Sequence, residues 1–462
     1  MKIKRGLQTE VEISDVAFGG RGLARLDGMA VFVDQTVPGD RAIIRIVRKK
    51  KNYAEARVID LIQSSPDRII APCEYSGFCG GCKWQFLKYE QQLIYKRQHV
   101  LDSLEHIGRI KDTLVHDTIP SELIFGYRNK MEFSCSARRW LLPHELGQVD
   151  VDIGFALGLH VPGTFHKVID TRECLLQPNL GNHLMDEVRT CIRSSDQPVY
   201  GLRSHIGYWR FLVLRHSVAH DRWMVNIVTA EDRRESVQPL ADRLRDRYPK
   251  VVSIINNITS RKAGVAVGDV EYTLAGSDII SDKIEGFEFE ISANSFFQTN
   301  TRGAALLFKI VEKYAGLSGS ETVIDLYSGT GTIPILLSEQ SKAVTGIEIV
   351  ESAVDDAEKN CRKNGISNCK FIRGDIRKCL SQIEQRPDVL IIDPPRAGMH
   401  KDVVKQVLEL GAGRLVYVSC NPATMARDLE LMQETYRLEE VQPVDMFPHT
   451  YHVEAVGKLK LI

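Results

Sequence analysis

Between residues 293 and 462 short apolar runs alternate with helix-like stretches, and the runs stop at polar residues. Thr322–Leu326 leads into Tyr327-Ser-Gly-Thr-Gly-Thr332, and Ala343–Ile347 ends at Glu348. Lys370–Ile372 is followed by Gly374 and Asp375, Val389–Ile392 by Asp393-Pro394-Pro395-Arg396, and Leu415–Val418 stops just before Cys420. This alternation predicts a parallel α/β sheet. The polar residues then collect at the carboxyl ends of the strands, where open α/β sheets bind ligands.

The first of these turns carries the most chemistry. Asp325 leads it, and Gly329 and Gly331 open a helix, so that backbone N–H groups can approach a ligand closely. Glu348, one strand on, is placed to take both ribose hydroxyls. Asp375 stands where a polar group meets an adenine. The pattern is GTG rather than G-x-G-x-x-G, and there is no GK[ST], which disfavours a dinucleotide or a nucleoside triphosphate. The set resembles the Rossmann-like fold of S-adenosylmethionine-dependent methyltransferases.

The segment VSCNPATMARDL, residues 418–429, presents Cys420 between a strand and a helix-like stretch. Taken alone, a free cysteine is more often packed in a core than reactive. Thirty-four residues beyond it lies Glu454, in MFPHTYHVEAV. A thiol and a carboxylate beside a methyl donor suit one chemical problem. The C5 carbon of a pyrimidine is a poor nucleophile, and thiolate addition to C6 turns the ring into an enolate reactive at C5. A base must then remove the C5 proton so that the thiolate can leave. Cys420 is the expected nucleophile and Glu454 the expected base. The pair of prolines after Asp393 stiffens a loop suited to orienting the substrate base.

Residues 1–63 read as short strands separated by turns at Gly19–Gly20, Asp27–Gly28 and Pro38–Gly39–Asp40, which predicts a small barrel. The stretch VPGDRAIIRIVRKKKNYAEARVIDLI resembles the OB-like TRAM domain that accompanies RNA-modifying enzymes. These 63 residues hold twelve Lys or Arg against eight Asp or Glu, including Arg48, Lys49, Lys50 and Lys51, although the chain as a whole has zero net charge. A local basic patch of this kind suits an RNA backbone. Residues 64–292 read as a mixed α+β domain with a long helix expected from Trp84 to Ile107. At its start Cys73, Cys79 and Cys82 form C-x5-C-x2-C in a glycine-rich loop, with Cys174 the best fourth ligand. Spacing alone leaves tetrahedral zinc and an iron–sulfur centre open.

Hydrophobic content of 43% and charged content of 26% are ordinary for a globular chain. No apolar run approaches a membrane span, and the N-terminus lacks a signal-peptide core, so a cytoplasmic chain, with no membrane association, is expected. Ten cysteines there argue for metal or thiol chemistry rather than disulfides.

DLYSGTG, DPPRAG, VSCNP and FPHTYHVE together resemble the RNA uracil-C5 methyltransferase family, and GYRNKMEFS and SFFQTN extend the likeness along nearly the whole chain. The resemblance implies three domains: a TRAM-like barrel at 1–63, an iron–sulfur domain at 64–292 and a methyltransferase domain at 293–462. It implies S-adenosyl-L-methionine held by Gln298, Tyr327, Thr332, Glu348, Asp375 and Asp393, with Cys420 as nucleophile and Glu454 as base. It also implies a [4Fe–4S] cluster on Cys73, Cys79, Cys82 and Cys174. Transfer RNA enzymes of this type generally lack the barrel and the cluster, so the architecture looks most like the 23S ribosomal RNA enzymes. A monomer acting on a uridine flipped out of a single-stranded loop or bulge is expected. A transfer RNA methyltransferase and a non-catalytic RNA-binding assembly factor are the rival readings; the second would tolerate loss of Cys420.

Overall fold

The computed structural model describes residues 3–262, 264–383 and 385–462. Its C-terminal sheet has eight strands in the spatial order Cys369–Arg373, Ala343–Glu348, Thr322–Leu326, Val389–Ile392, Arg414–Ser419, Glu454–Leu461, Tyr436–Val444 and Leu114–Val115. The first five run parallel; Glu454–Leu461 is antiparallel to both of its neighbours. The eighth strand comes from far upstream in the chain and pairs in parallel with Glu440 and Val441.

Strand residues alternate strictly between two cores. Ile324, Leu326, Leu390, Ile392, Leu415 and Tyr417 join one buried cluster, and Val323, Val389, Ile391, Val416 and Val418 join the other. A period of two with both faces apolar is what a sheet covered by helices on each side requires. Helices Lys401–Leu410, Pro422–Glu430 and Tyr89–His106 cover the first face, and Thr301–Ala315, Thr332–Ser338 and Glu351–Lys363 the second. The long helix begins at Tyr89, not Trp84. Trp84 is instead fully buried in the loop before it, where its ring packs with Val16, Val37, Phe86 and Leu87.

Three further sheets precede this one, the smallest being the hairpin of Ile279–Ile284 and Phe287–Ser292. Gln8–Glu12 pairs with Arg41–Lys49, and Asp15–Ala17, the continuation of the same segment, pairs with Arg21–Leu26. One extended segment therefore bonds at both ends and curls the six strands around a core of Val11, Ala24, Val31, Val33, Ile44 and Ala56. The second is a six-stranded sheet built from Lys130–Ser136, Ala156–Gly158, Trp209–Ser217, Arg222–Thr229, Val251–Ile258 and Val270–Gly276. Helices Asn179–Arg193 and Arg234–Arg247 pack on one face of it. No helix among the described residues is long and apolar enough to cross a membrane.

Candidate active site

Strand Arg414–Ser419 hands over to helix Pro422–Glu430 through Cys420 and Asn421. Asn421 caps the helix by accepting the Ala423 N–H, and Pro422 occupies the first turn, where its missing donor costs nothing. This sharp change of direction leaves Cys420 half-exposed at the sheet rim. Glu454 opens the neighbouring antiparallel strand and is buried. Asp393 follows strand Val389–Ile392 on the other side, so all three groups meet at one end of the sheet.

The electrostatics of the three are linked. Burial, reinforced by the charges of Glu454 and Asp393, pushes the Cys420 thiol up to about 11, while a hydrogen bond and the charge of Arg396 oppose the shift. Burial and the neighbouring Asp393 carboxylate raise Glu454 to about 8, and burial raises Asp393 to about 6. Arg396 is thus the cation of the site, a role that its place in the DPPRAG motif does not reveal by residue type alone. The DPPRAG loop is strapped to the helix after Cys420. Asn421 and Thr424 donate to the Arg396 carbonyl at 3.1 and 3.3 Å, and the Met399 N–H donates to Asp428 at 2.7 Å. A Cβ on Gly398 would sit 2.6 Å from the Arg427 guanidinium and 2.7 Å from the Asp428 carboxylate, so only glycine allows this approach.

The segment before Glu454 is held from several directions. Gln92 accepts the His449 N–H at 2.8 Å, the Lys83 and Trp84 N–H groups donate to the His449 carbonyl, and the Tyr127 hydroxyl donates to the Pro448 carbonyl at 3.1 Å. Below it Lys96 and Asp445 form a fully buried ion pair at 2.5 Å. Burial lowers His449 and His452 to about 4, so both are neutral and structural in character.

A crevice opens beside this centre, where the strand order reverses between Thr322–Leu326 and Val389–Ile392. Tyr327, Glu348 and Asp375 line a single pocket there with Ile349, Arg377 and His400. Tyr327, Gly329 and Gly331 all take positive φ, which folds the turn tightly under the crevice. Glu348 accepts the Gly329 N–H at 3.0 Å and those of Ile349 and Val350, which points the carboxylate along the turn. Asp325 is buried with neither carboxylate oxygen partnered, and the Ser328 hydroxyl is likewise unpartnered. Burial and the negative Asp393 and Glu348 hold Asp325 well above the usual carboxylate range. Buried polar groups without partners demand a donor, and a ligand carrying an amino group and a sulfonium supplies both N–H and positive charge. Asp325 and Ser328 flank the Tyr327 turn and do not line the pocket itself; together with Tyr327, Glu348 and Asp375 on its lining they make a set that fits S-adenosylmethionine. Asp375 is engaged by Arg377, which holds it down to about 2. Gln298, Thr332 and Asp393 are not among the residues lining this pocket. Gln298 lies in a segment anchored by Asn129, whose side chain donates to the Gln298 carbonyl and the Thr301 hydroxyl at 2.8 Å each. Thr332 is the first residue of its helix.

Cys73, Cys79, Cys82 and Cys174 line one apolar pocket with Leu159 and Leu176, although the last two cysteines lie 92 positions apart in the chain. Each sulfur receives at least one N–H: Gly81 donates to Cys79 at 3.3 Å and Gln85 to Cys82 at 3.1 Å. The Tyr75 and Ser76 amides face Cys73, and those of Leu176 and Gln177 face Cys174. Burial nonetheless pushes Cys79 and Cys82 up to about 12. Four N–H-decorated sulfurs in an apolar pocket are a donor set suited to thiolates neutralised by metal. The sulfurs are nonetheless not arranged as a metal site: among the described residues no group of three or more His, Cys, Asp or Glu could hold a metal ion, so the expected cluster is not shown.

Comparison with known proteins identifies the family. Residues 182–386 and 380–460 match the family described as tRNA (Uracil-5-)-methyltransferase, and residues 3–59 match the TRAM domain. An uncharacterised RNA methyltransferase of Chlorobaculum tepidum is 41% identical over 99% of this chain and 97% of its own length. One from Porphyromonas gingivalis is 42% identical over 96% and 98%. The crystal structure of the Pyrococcus abyssi tRNA (uracil-54, C5)-methyltransferase in complex with S-adenosyl-L-homocysteine superposes with a TM-score of 0.76 at 29% identity, covering 98% of this chain and 100% of that one. With its crevice, its N-terminal barrel and these relatives, the chain belongs to the RNA uracil-5-methyltransferase family of S-adenosylmethionine-dependent enzymes and carries a TRAM domain.

Proposed function

We propose that this chain methylates C5 of a uridine in 23S ribosomal RNA, acting as a cytoplasmic monomer on a base flipped from a loop or bulge. The observation that carries the reaction is the juxtaposition of Cys420, Glu454 and Asp393 at the rim of the crevice. In the proposed cycle the Cys420 sulfur bonds to uracil C6, and the ring electrons move to the O4 side, making C5 nucleophilic. Arg396, hydrogen-bonded to that sulfur, favours the thiolate before the attack. S-adenosyl-L-methionine supplies the methyl group to C5 when bound, held by Gln298, Tyr327, Thr332, Glu348, Asp375 and Asp393. Glu454 then takes the C5 proton, the C5–H electrons re-form the C5–C6 double bond, and the sulfur leaves. A carboxyl raised to about 8 is a stronger base than an ordinary one, which suits removal of a proton from carbon.

Ribosomal RNA is favoured by the barrel together with the four cysteines. A second reading, a transfer RNA substrate, is favoured by the Pyrococcus abyssi structure: a protein named as a tRNA methyltransferase aligns with 98% of this chain, barrel included. Mapping 5-methyluridine in both RNA classes, with and without the protein, separates the two. The four cysteines are proposed to hold a [4Fe–4S] cluster. Their shared apolar pocket and the N–H groups directed at every sulfur support that reading.

The test of the mechanism is a covalent trap. With 5-fluorouridine-substituted ribosomal RNA and S-adenosylmethionine the protein should form a denaturation-resistant adduct, because fluorine at C5 cannot be removed as a proton. Equal behaviour of wild type and Cys420→Ala sinks the mechanism, and full function without Cys420 would favour a non-catalytic RNA-binding role.

A further inference from the structure

The barrel touches the segment that leads to Glu454. At the turn between strands Asp15–Ala17 and Arg21–Leu26, Phe18 projects with 41% of its surface exposed. Its ring meets Tyr451 edge-on at 5.5 Å and 84°, and His99 at 5.7 Å and 88°. The turn approaches this closely because Gly20 has no side chain: a Cβ there would lie 3.2 Å from the Trp84 indole nitrogen and 3.4 Å from the Tyr451 ring. The Trp84 indole N–H, in turn, donates to the Gly20 carbonyl at 3.3 Å.

From Tyr451 the aromatic line continues inward. The Tyr451 and His452 rings are 4.2 Å apart. His452 feels the charges of Arg396 and Arg128 and lies two residues before Glu454. A half-exposed phenyl ring, a half-exposed phenol and two guanidinium groups thus run from the barrel to the reaction centre. Burial lowers His99 behind Phe18, while the nearby Asp102 and Asp15 oppose that shift.

We propose that Phe18 and Tyr451 form a stacking platform for an unpaired RNA base next to the target uridine. A base that flips out leaves its neighbour without a stacking partner, and aromatic side chains replace such partners in single-stranded RNA recognition. The proposal rests on the reading of Cys420 and Glu454 as the place where the target base reacts, since that reading sets which end of the aromatic line faces the flipped nucleotide. It gives the barrel a contact inside the active-site cleft in addition to any backbone contact made by its basic strand.

Octauridylate is the probe, with an octamer of abasic ribose phosphates as the control for backbone binding. Phe18→Trp should add an emission that octauridylate quenches and the abasic octamer does not, with wild-type titration subtracting the four native tryptophans. Phe18→Ala and Tyr451→Ala should each weaken octauridylate binding about tenfold, while Tyr451→Phe, which keeps the ring, should bind as wild type does. The abasic octamer should bind all variants alike. Unchanged octauridylate affinity in Phe18→Ala, together with an added emission in Phe18→Trp that stays unquenched at saturation, overturns the platform. A parallel 5-fluorouridine trap keeps the two readings apart. Wild type forming no adduct while the Phe18→Trp emission is still quenched would remove the Cys420 reading and leave the platform; adduct formation with no ring dependence would do the reverse.

Discussion

Ser419 pairs with Ala455 at the last register position of an antiparallel strand pair, so the residues next to them, Cys420 and Glu454, lie at the same end of the sheet. Sheet register, through Ser419 and Ala455, therefore brings the proposed nucleophile and base to one rim. Cys420 follows the end of its strand, and Glu454 opens its own, where it pairs with Val444 on the far side.

Glu454→Gln should separate addition from release. With the base gone, the sulfur bond to C6 still forms, and methylation proceeds once. Adduct should then accumulate on ordinary RNA, with release slowed about 10²–10⁴-fold. Gel analysis after denaturation measures it; free turnover at the wild-type rate would remove Glu454 from the mechanism.

The raised Glu454 carboxyl links pH to rate and to stability with opposite signs. The proton acceptor must be ionised, so turnover should rise with pH through about 8. Folding takes the other direction. The folded group binds its proton more tightly than the unfolded one, so its stabilising contribution is complete below about 4.5 and is lost as pH rises through about 8. Glu454→Gln should therefore gain on wild type across that window, by on the order of 5 kcal/mol above it. Urea midpoints at pH 4 and pH 8.5 check the sign.

Arg396 opposes the upward shift of Cys420 through a hydrogen bond and its charge. Arg396→Gln should move the pH midpoint of Cys420 alkylation by iodoacetamide upward by about one unit, with Arg396→Lys in between. An unmoved midpoint would make Arg396 a loop-forming residue only.

The four-cysteine pocket predicts colour. Anaerobically purified protein should be brown with about four irons per chain, and Cys174→Ser should bleach it. Cys82 precedes Lys83 and Trp84, whose N–H groups hold the His449 carbonyl. Loss of the centre should therefore also lower the thermal midpoint and raise proteolysis within residues 447–453. A colourless protein with stoichiometric zinc would overturn the cluster.

Much of the site is legible along the chain because parallel strands export their terminal residues to one edge. Tyr327, Glu348 and Asp375 share a pocket as the turn positions imply, and Cys420 stands at a strand end as its neighbours imply. Arg396 is not legible as the thiol's partner. An arginine in a turn carries no sign of which sulfur it faces until the DPPRAG loop is tied to helix Pro422–Glu430. Nor does periodicity show that Leu114–Val115 closes the far edge of a sheet formed more than 200 residues later, since two residues are too short a run to carry a pattern. The helix expected from Trp84 begins five residues later because the tryptophan is drawn into a buried contact between barrel and loop.

The parallel α/β plan, the glycine turn beneath the crevice and the residues proposed to react are all written in the linear chain, because they follow from short-range pattern and side-chain chemistry. Three-dimensional packing alone brings Cys420 and Glu454 to one end of neighbouring strands, gathers four cysteines spread over 102 residues into one pocket, and brings Phe18 of the barrel against Tyr451. Those are long-range encounters, fixed by sheet register and by the packing of one domain on another, and no local pattern encodes them.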